Sequence, residues 1–479
     1  MRHSNISKSF LAAAAAFSAF AVAGRAVADG ADTLVEEFVG PEDLIVSGSV
    51  NAGVSVTDNR DRIDEARERR QFAELYPAGA KNGAKPRTKE KQTEFHVGPR
   101  ISLERNVTGR IAMRISYSPV FTWWDGVREG SDEFRLNHKF DAKIDYEPSP
   151  RTRLGLSDGL WWSGQRDIYY GDDYEWTADR ENDLVNDDYF VNTGTLWLRR
   201  DLGDFDWAKA TGTYRVKRYD DDTRARYSDE DELTGRLDWM HVLSRRLSLG
   251  LYAKYTSWDR RSESVEGDLV AIGQARGAKS PELKVGVDYL QTGVQGTYDF
   301  SGHNDHLFYA STGWSKYWYE ADDIDDRDEW GQTKVELRLF QQRDTQIIFG
   351  ASYETVSAES YPFSTQEDKI GYVTVKQYLC KDRRLTASGT VEMRRRTYDL
   401  DDDISDKAKN AGYREKLVKQ LGGKTEYDRD TFYVRLALDY KFTKYFSAGC
   451  NYTFHDVDPD IGMGYKENLF GVNGSLKFF

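Results

Sequence analysis

The sequence predicts an all-β chain in which about eighteen antiparallel strands run up and down and close into a barrel. Three observations lead there. Apolar and polar residues alternate in segments of roughly 10 to 14 residues along the whole chain. The connections between these segments alternate between long and short. Beyond the N-terminal segment, no run has the roughly 20 apolar residues that a membrane-spanning helix requires.

The chain opens with Arg2, His3 and Lys8, continues as an apolar run over 10–24, and offers Ala26-Val27-Ala28 before Asp29. This predicts a secretory signal over 1–28, cleaved after Ala28. A short periplasmic segment, 29–43, would follow, with the barrel over 44–479. The first strand reads IVSGSVNAGVSV, with Val46, Gly48, Val50, Ala52, Val54 and Val56 on one side and Ser47, Ser49, Asn51, Gly53 and Ser55 on the other. TEFHVGPRISL and GRIAMRISYSPVF repeat the alternation, as do RLSLGLYAKYTSW, QTKVELRLF, RLTASGTVEMR, TFYVRLALDYKF and YFSAGCNYTFH. A soluble sandwich or propeller has strands of about 5 to 6 residues and no need for loops that alternate in length.

Short turns are expected at ERNVTGR, EPSPRTR, RDLGDFD, LSRRL, FSGHND, QQRDTQ, CKDRRL and FTKYF. Long connections are expected near 58–92, 125–134, 163–188, 219–231, 259–282, 319–330, 356–367, 397–429 and 456–464. Nine long connections interleaved with eight short turns give about eighteen strands, with both termini on the short-turn side. Short periplasmic turns, long external loops and an even strand number describe a transmembrane barrel of the Gram-negative outer membrane. The apolar faces would then meet lipid and the polar faces a watery lumen. An open edge in lipid would leave backbone groups unpaired, so the final strand, NLFGVNGSLKFF, must pair with the first.

Aromatic residues make up 13% of a chain whose formal net charge is −13, which suits surfaces that are wet at one end. Trp123, Trp124, Trp161, Trp162, Trp258, Trp318 and Trp330 fall near long connections. Tyr146, Phe300, Phe340, Tyr440, Phe442, Tyr445 and Phe446 fall near short turns, as two interfacial girdles would. Cys380 and Cys450 are the only cysteines, so no disulfide framework is expected, and neither follows the signal as a lipid anchor would.

On these features the chain resembles porin-class outer-membrane β-barrel proteins over nearly all of its mature length. The carriers are the signal, the strands, the long–short rhythm and the terminal SLKFF. In texture it is similar to the β-barrel porin 2 (BBP2-like) outer-membrane beta-barrel family, some members of which accompany exopolysaccharide systems. The resemblance implies that the C-terminal strand is read by the barrel-assembly machinery. Phe479 departs from the pattern, being out of phase with Phe470, Val472, Gly474, Leu476 and Phe478. The segment 29–43 leaves no room for a siderophore-receptor plug.

A barrel of this size encloses an aqueous channel, and its polar faces carry full charges in mid-strand. The pore-lining candidates are Arg100, Arg114, Lys139, Lys143, Arg215, Lys217, Arg236, Lys254, Lys334, Glu336, Arg338, Glu392, Arg394, Arg435 and Asp439. Basic residues prevail, so a mild preference for anions is expected. Pairing of these charges across neighbouring strands is the structural alternative. The acidic stretches DDDTRARYSDEDE, EADDIDDRDE and DLDDDISD are placed in external loops, solvated or bridged by divalent cations. DVDPDIG spaces three carboxylates like a calcium loop, with its glycine displaced by one position and no distal Glu in place. RIDEARERRQFAELY and DKAKNAGYREKLVKQL are candidate helices within long connections.

The function expected is an outer-membrane channel for hydrophilic solutes, small molecules or oligosaccharides. It needs no cofactor, metal or catalytic group and has no nucleic-acid partner; oligomeric state is left open. An export-associated or closed adhesive barrel is the alternative. A hydrolase would need a positioned His, and His96, His241 and His455 show no spacing that marks a nucleophile.

Overall fold

In a strand, successive side chains leave on opposite sides, so one residue of register decides which solvent each meets. The computed structural model describes residues 44–58, 91–106, 110–125, 134–163, 189–219, 228–262, 283–319, 327–357, 363–380, 382–400, 423, 425–459 and 465–478. The expected signal over 1–28, the segment 29–43, both candidate helices and Phe479 lie outside these residues.

Eighteen strands are present: β1 (Leu44–Thr57), β2 (Gln92–Asn106), β3 (Ile111–Asp125), β4 (Phe134–Ser149), β5 (Thr152–Ser163), β6 (Tyr189–Asp201), β7 (Asp206–Tyr219), β8 (Ser228–Val242), β9 (Leu247–Ser262), β10 (Leu283–Asp299), β11 (Leu307–Tyr319), β12 (Arg327–Leu339), β13 (Thr345–Ser357), β14 (Phe363–Leu379), β15 (Leu385–Leu400), β16 (Glu426–Lys441), β17 (Phe446–Pro459) and β18 (Tyr465–Lys477). Each pairs antiparallel with its sequence neighbours. β1 closes the sheet by pairing with both β2 and β18, so that Val50 stands opposite Pro99 on one side and Leu476 on the other. The C-terminal strand therefore seals the barrel, and the Phe478 N–H donates to the Gly48 carbonyl at 2.8 Å. No helix among the described residues is long and apolar enough to cross a membrane.

The outward face is apolar. Leu103, Ile115, Phe140, Leu156, Leu196, Leu237, Val391 and Leu436 are all exposed there. A closed sheet in water would leave this area unburied; in a bilayer it meets acyl chains. The polar face is the concave one, because side chains two strands apart meet on it. Tyr372 of β14 crosses β13 to Glu336 of β12, and Arg236 of β8 crosses β9 to Gln295 of β10. The first crossing requires Gly350 of β13, where a Cβ would lie 2.1 Å from the Tyr372 ring.

The strands are longer than expected, up to 17 residues, because several continue beyond the apolar band. The acidic stretch over 220–232 is therefore only partly a loop: Ser228 onward belongs to β8, where Glu230 turns inward and pairs with Arg215 at 3.2 Å. Part of 320–329 likewise opens β12, and Asp399 lies in β15. DVDPDIG begins in β17, with Asp456 pointing outward and bonded to Lys466 at 2.6 Å, so its first carboxylates are strand residues rather than parts of a turn.

The tryptophan girdle is also corrected. Trp123, Trp162 and Trp330 are exposed on the outward face, but Trp124 is buried on the inward face, where it donates to Glu94. Trp161 and Trp258 take inward register positions. Adjacent tryptophans in one strand cannot both reach the same interface.

The short turns are tied to one another. The Asp305 carboxylate accepts from the Gln342 N–H at 3.0 Å and from Arg343 Nε at 3.1 Å, joining the β10–β11 turn to the β12–β13 turn. Arg383 Nε donates to Asp344 at 2.8 Å, carrying the chain of contacts to the next turn. The Gln342 N–H and then the Arg343 guanidinium hold the Asp305 carboxyl below its ordinary range.

Candidate functional site: the inner wall

All fifteen charged candidates take register positions on the concave face, in four groups around the wall. On β2 to β4, Arg114 stands opposite Lys143, Lys139 opposite Ser118, and Arg100 donates to Ser116 at 3.3 Å. On β7 to β9, Arg215 and Lys217 share one strand and Arg236 stands opposite Lys254. β12 carries Lys334, Glu336 and Arg338, and β15 and β16 carry Glu392, Arg394, Arg435 and Asp439. The structure does not bring the groups together into one centre.

Several of these charges are paired along a strand. Residues i and i+2 share a face, within reach of long side chains. Lys143 meets Asp145 at 2.7 Å, Arg236 meets Asp238 at 2.7 Å, and Arg394 meets Glu392 at 3.4 Å. Glu336 sits between Lys334, at 3.7 Å, and Arg338, which bonds to it directly. Tyr372 adds a hydroxyl to the same carboxylate at 2.5 Å, so Glu336 is buried with both flanking cations exposed. Cross-strand pairs, the expected alternative, also form: Arg215 with Glu230, and Arg396 with Asp368 at 2.6 Å.

Sequence reasoning missed the partners. Asp238, Asp145, Gln295 and Tyr372 complete these networks, with Gln295 Nε2 donating to Asp238 at 3.0 Å and Tyr309 donating to Gln295 at 3.4 Å. The signal was available for the carboxylates, since an opposite charge two residues away in an alternating strand shares the face. For Gln295, Tyr309 and Tyr372 no such signal exists, because their contacts lie on other strands.

Arg114, Lys139 and Lys254 stand apart. Arg114 is exposed, Lys139 is half-buried, and neither forms an ion pair among the described residues. Lys254 lies over the Tyr289 ring at 5.5 Å. On β3 and β4 these cations share the inward face with Asp141, which accepts from Ser116 at 3.4 Å, and with Asp145.

The wall changes along the barrel axis. Toward the long connections it is closely packed: Gln291, Val287, Thr122, Glu94 and Glu467 are each at most 3% exposed. There Thr57 donates to Glu467 at 2.8 Å, and the Tyr433 and His455 rings meet tilted with centroids 4.8 Å apart. Toward the short turns the cations are open, with the Lys143 side chain 55% exposed and those of Lys334 and Arg338 both 49%. His96 and His455 point inward and His241 outward, where it meets Asp206 at 2.9 Å. Cys380 lies in a turn and Cys450 on the outward face of β17, both as free thiols.

No protein-family description and no curated protein matches the chain. Solved structures of similar architecture include the siderophore receptor PirA from Pseudomonas aeruginosa, with a TM-score of 0.45 and 8% identity, covering 92% of this chain and 81% of that one. OccAB3 from Acinetobacter baumannii has a TM-score of 0.42 and 9% identity over 90% of this chain and 99% of that one. A loop-deleted OmpT, an outer membrane protein of Vibrio cholerae, has a TM-score of 0.34 and 12% identity over 91% and 100%. The likeness is to outer-membrane β-barrels as a class and carries no argument about substrate. The fold stands on the closed eighteen-stranded sheet itself.

Proposed function

We propose that the protein is an outer-membrane channel through which small hydrophilic solutes diffuse, sorted by size and by the charges of the inner wall. The observation that supports this most directly is the exposure of Arg114, Lys143, Lys334 and Arg338 on the concave face of a closed barrel. Eighteen strands enclose more space than side chains can fill, and exposed charges on that face imply water. The fifteen candidates form the lining of this path. A mild anion preference arises at β3 and β4, where Arg114 and Lys139 have no carboxylate partner among the described residues. The pairs on the other strands set a transverse field with little net charge. Catalysis, cofactor and nucleic acid have no place in this reading. Its other partners are outer-membrane lipid and the barrel-assembly machinery, reached through β18.

Single-channel conductance and reversal potential of the heat-modifiable protein, in a planar bilayer under a salt gradient, test this. Steady conductance with an anion-selective reversal potential is the expected result. A folded barrel that passes no current would favour the second reading, a closed structural barrel. The close packing of Glu94, Glu467, Gln291 and Val287 toward the long connections speaks for that alternative.

A further inference from the structure

The outward face carries one charge where lipid should meet only hydrocarbon. Elsewhere among the described strands, outward charged residues lie to one side of the apolar band: Arg200 and Asp206 beside a short turn, and others such as Arg218, Asp231, Asp288, Lys316, Lys369, Arg395 and Asp430 toward the long connections. Asp158 stands in the middle of β5, between the exposed outward residues Leu156 and Leu160. Its register partners, Ala142 of β4 and Gly194 of β6, are outward too.

Asp158 is exposed, and its polar partner among the described residues is Asn192, whose Nδ2 lies 3.2 Å from Oδ1, 3.3 Å from Oδ2 and 3.5 Å from the Gly159 carbonyl. A Cβ on Gly194 would lie 3.6 Å from Oδ1, so the carboxylate rests over bare backbone in a notch floored by small residues. A carboxylate at mid-bilayer has about four acceptor sites, and acyl chains donate to none of them. Charges on the lipid face of a barrel are destabilising, most of all near the midplane, and an intramembrane ionisable residue points to a function.

We propose that the Asp158–Asn192 notch is where two copies of this chain meet in the membrane. The pair is self-complementary: Asp158 has acceptor sites beyond those its own Asn192 meets, and the Asn192 amide can exchange its 3.2–3.5 Å contacts within the chain for the other copy's carboxylate. A two-fold axis along the membrane normal through the notch sets each copy's amide against the other's carboxylate and withdraws both carboxylates from lipid. Such an isologous contact needs no foreign partner. Ala142 and Gly194, with Gly212 one strand further, allow the two walls to approach closely. The proposal holds whether or not the lumen conducts.

The test compares wild type with Asp158→Leu in liposomes over a range of protein-to-lipid ratios, with subunits counted by single-molecule photobleaching. Leu436→Ala, on the outward face of β16, is the control. The expected result is a wild-type dimer, unchanged by Leu436→Ala. Asp158→Leu should remain heat-modifiable and need at least about tenfold more protein per lipid for half association. Should Asp158→Leu fail to fold, the isosteric Asp158→Asn is scored by the same criterion. A photo-crosslinking residue at position 160 should yield, in native membranes, a product of twice the chain mass mapping to β4–β6. A monomeric wild type, a folded variant that associates as wild type does, or crosslinks only to lipid or to another protein would overturn the proposal.

Discussion

The two ends of the inner wall differ in how deeply they bury charge. Toward the long connections, carboxylates are buried along with their partners: Glu94 accepts from Trp124, Glu467 from Thr57, and Glu230 pairs with Arg215. Toward the short turns, carboxylates are held by cations on the same strand, and those cations stay in contact with water. A charge removed from the first region leaves buried donors unmatched and costs stability. One removed from the second alters the field in the lumen, because exposed ion pairs contribute little to folding. The difference separates residues that build the barrel from those that set what passes.

The sharpest way to break this comparison lies at the boundary between the regions. Gly350→Leu puts a side chain where the Tyr372 ring crosses β13, forcing the ring away and parting it from Glu336. A loss of about 3 kcal/mol or more is expected in urea unfolding from liposomes. Gly371→Ala, whose Cβ would meet nothing within 4 Å, should change the midpoint little. Equal effects would show that the crossing does not hold the wall.

Glu94→Ala should cost about 1–3 kcal/mol, since the buried Trp124 indole N–H loses its acceptor. The reversal potential should stay as in wild type. A shifted potential with unchanged stability would reverse the assignment of the two regions.

Arg114→Gln is expected to do the opposite, lowering anion preference by about twofold with no measurable loss of stability. Arg338→Gln and Arg394→Gln should shift selectivity less, because each already shares its charge with a carboxylate on its own strand. If all three shift it equally, the pairing does not attenuate the field.

The smallest effect concerns the short turns. The Asp305 carboxyl is held below its ordinary range by the Gln342 N–H and then by Arg343. Its stabilisation should be complete above the unfolded-state carboxylate range and lost as pH falls through the lowered folded value. Wild type should therefore exceed Asp305→Asn in unfolding midpoint at neutral pH, and the gap should close on acidification. A gap that is constant with pH would remove Asp305 from the turn-to-turn contacts.

Much of this was legible beforehand. Alternation separated the two faces of IVSGSVNAGVSV and TEFHVGPRISL, and the connection lengths counted the strands. The tryptophan doublets were misread because proximity to a strand end was weighed above parity, which places Trp124 and Trp161 inside. The carboxylates at 228–232 were assigned to a loop because charge density resembles solvation until a facing strand, here β7 with Arg215 and Lys217, supplies the partners.

By itself the sequence determined what is local: which residues share a face, where the chain turns, how many strands it forms and that an open sheet would be untenable in lipid. Those follow from a two-residue period and from the hydrogen bonding of the backbone. Tertiary structure decided what is nonlocal: that Tyr372 reaches Glu336 over Gly350, that Glu94 and Glu467 are buried while Lys334 is not, and that Asn192 of β6 meets Asp158 of β5. Such contacts depend on the stagger of strands distant in sequence and on the curvature of the closed wall, and no period within one strand encodes either.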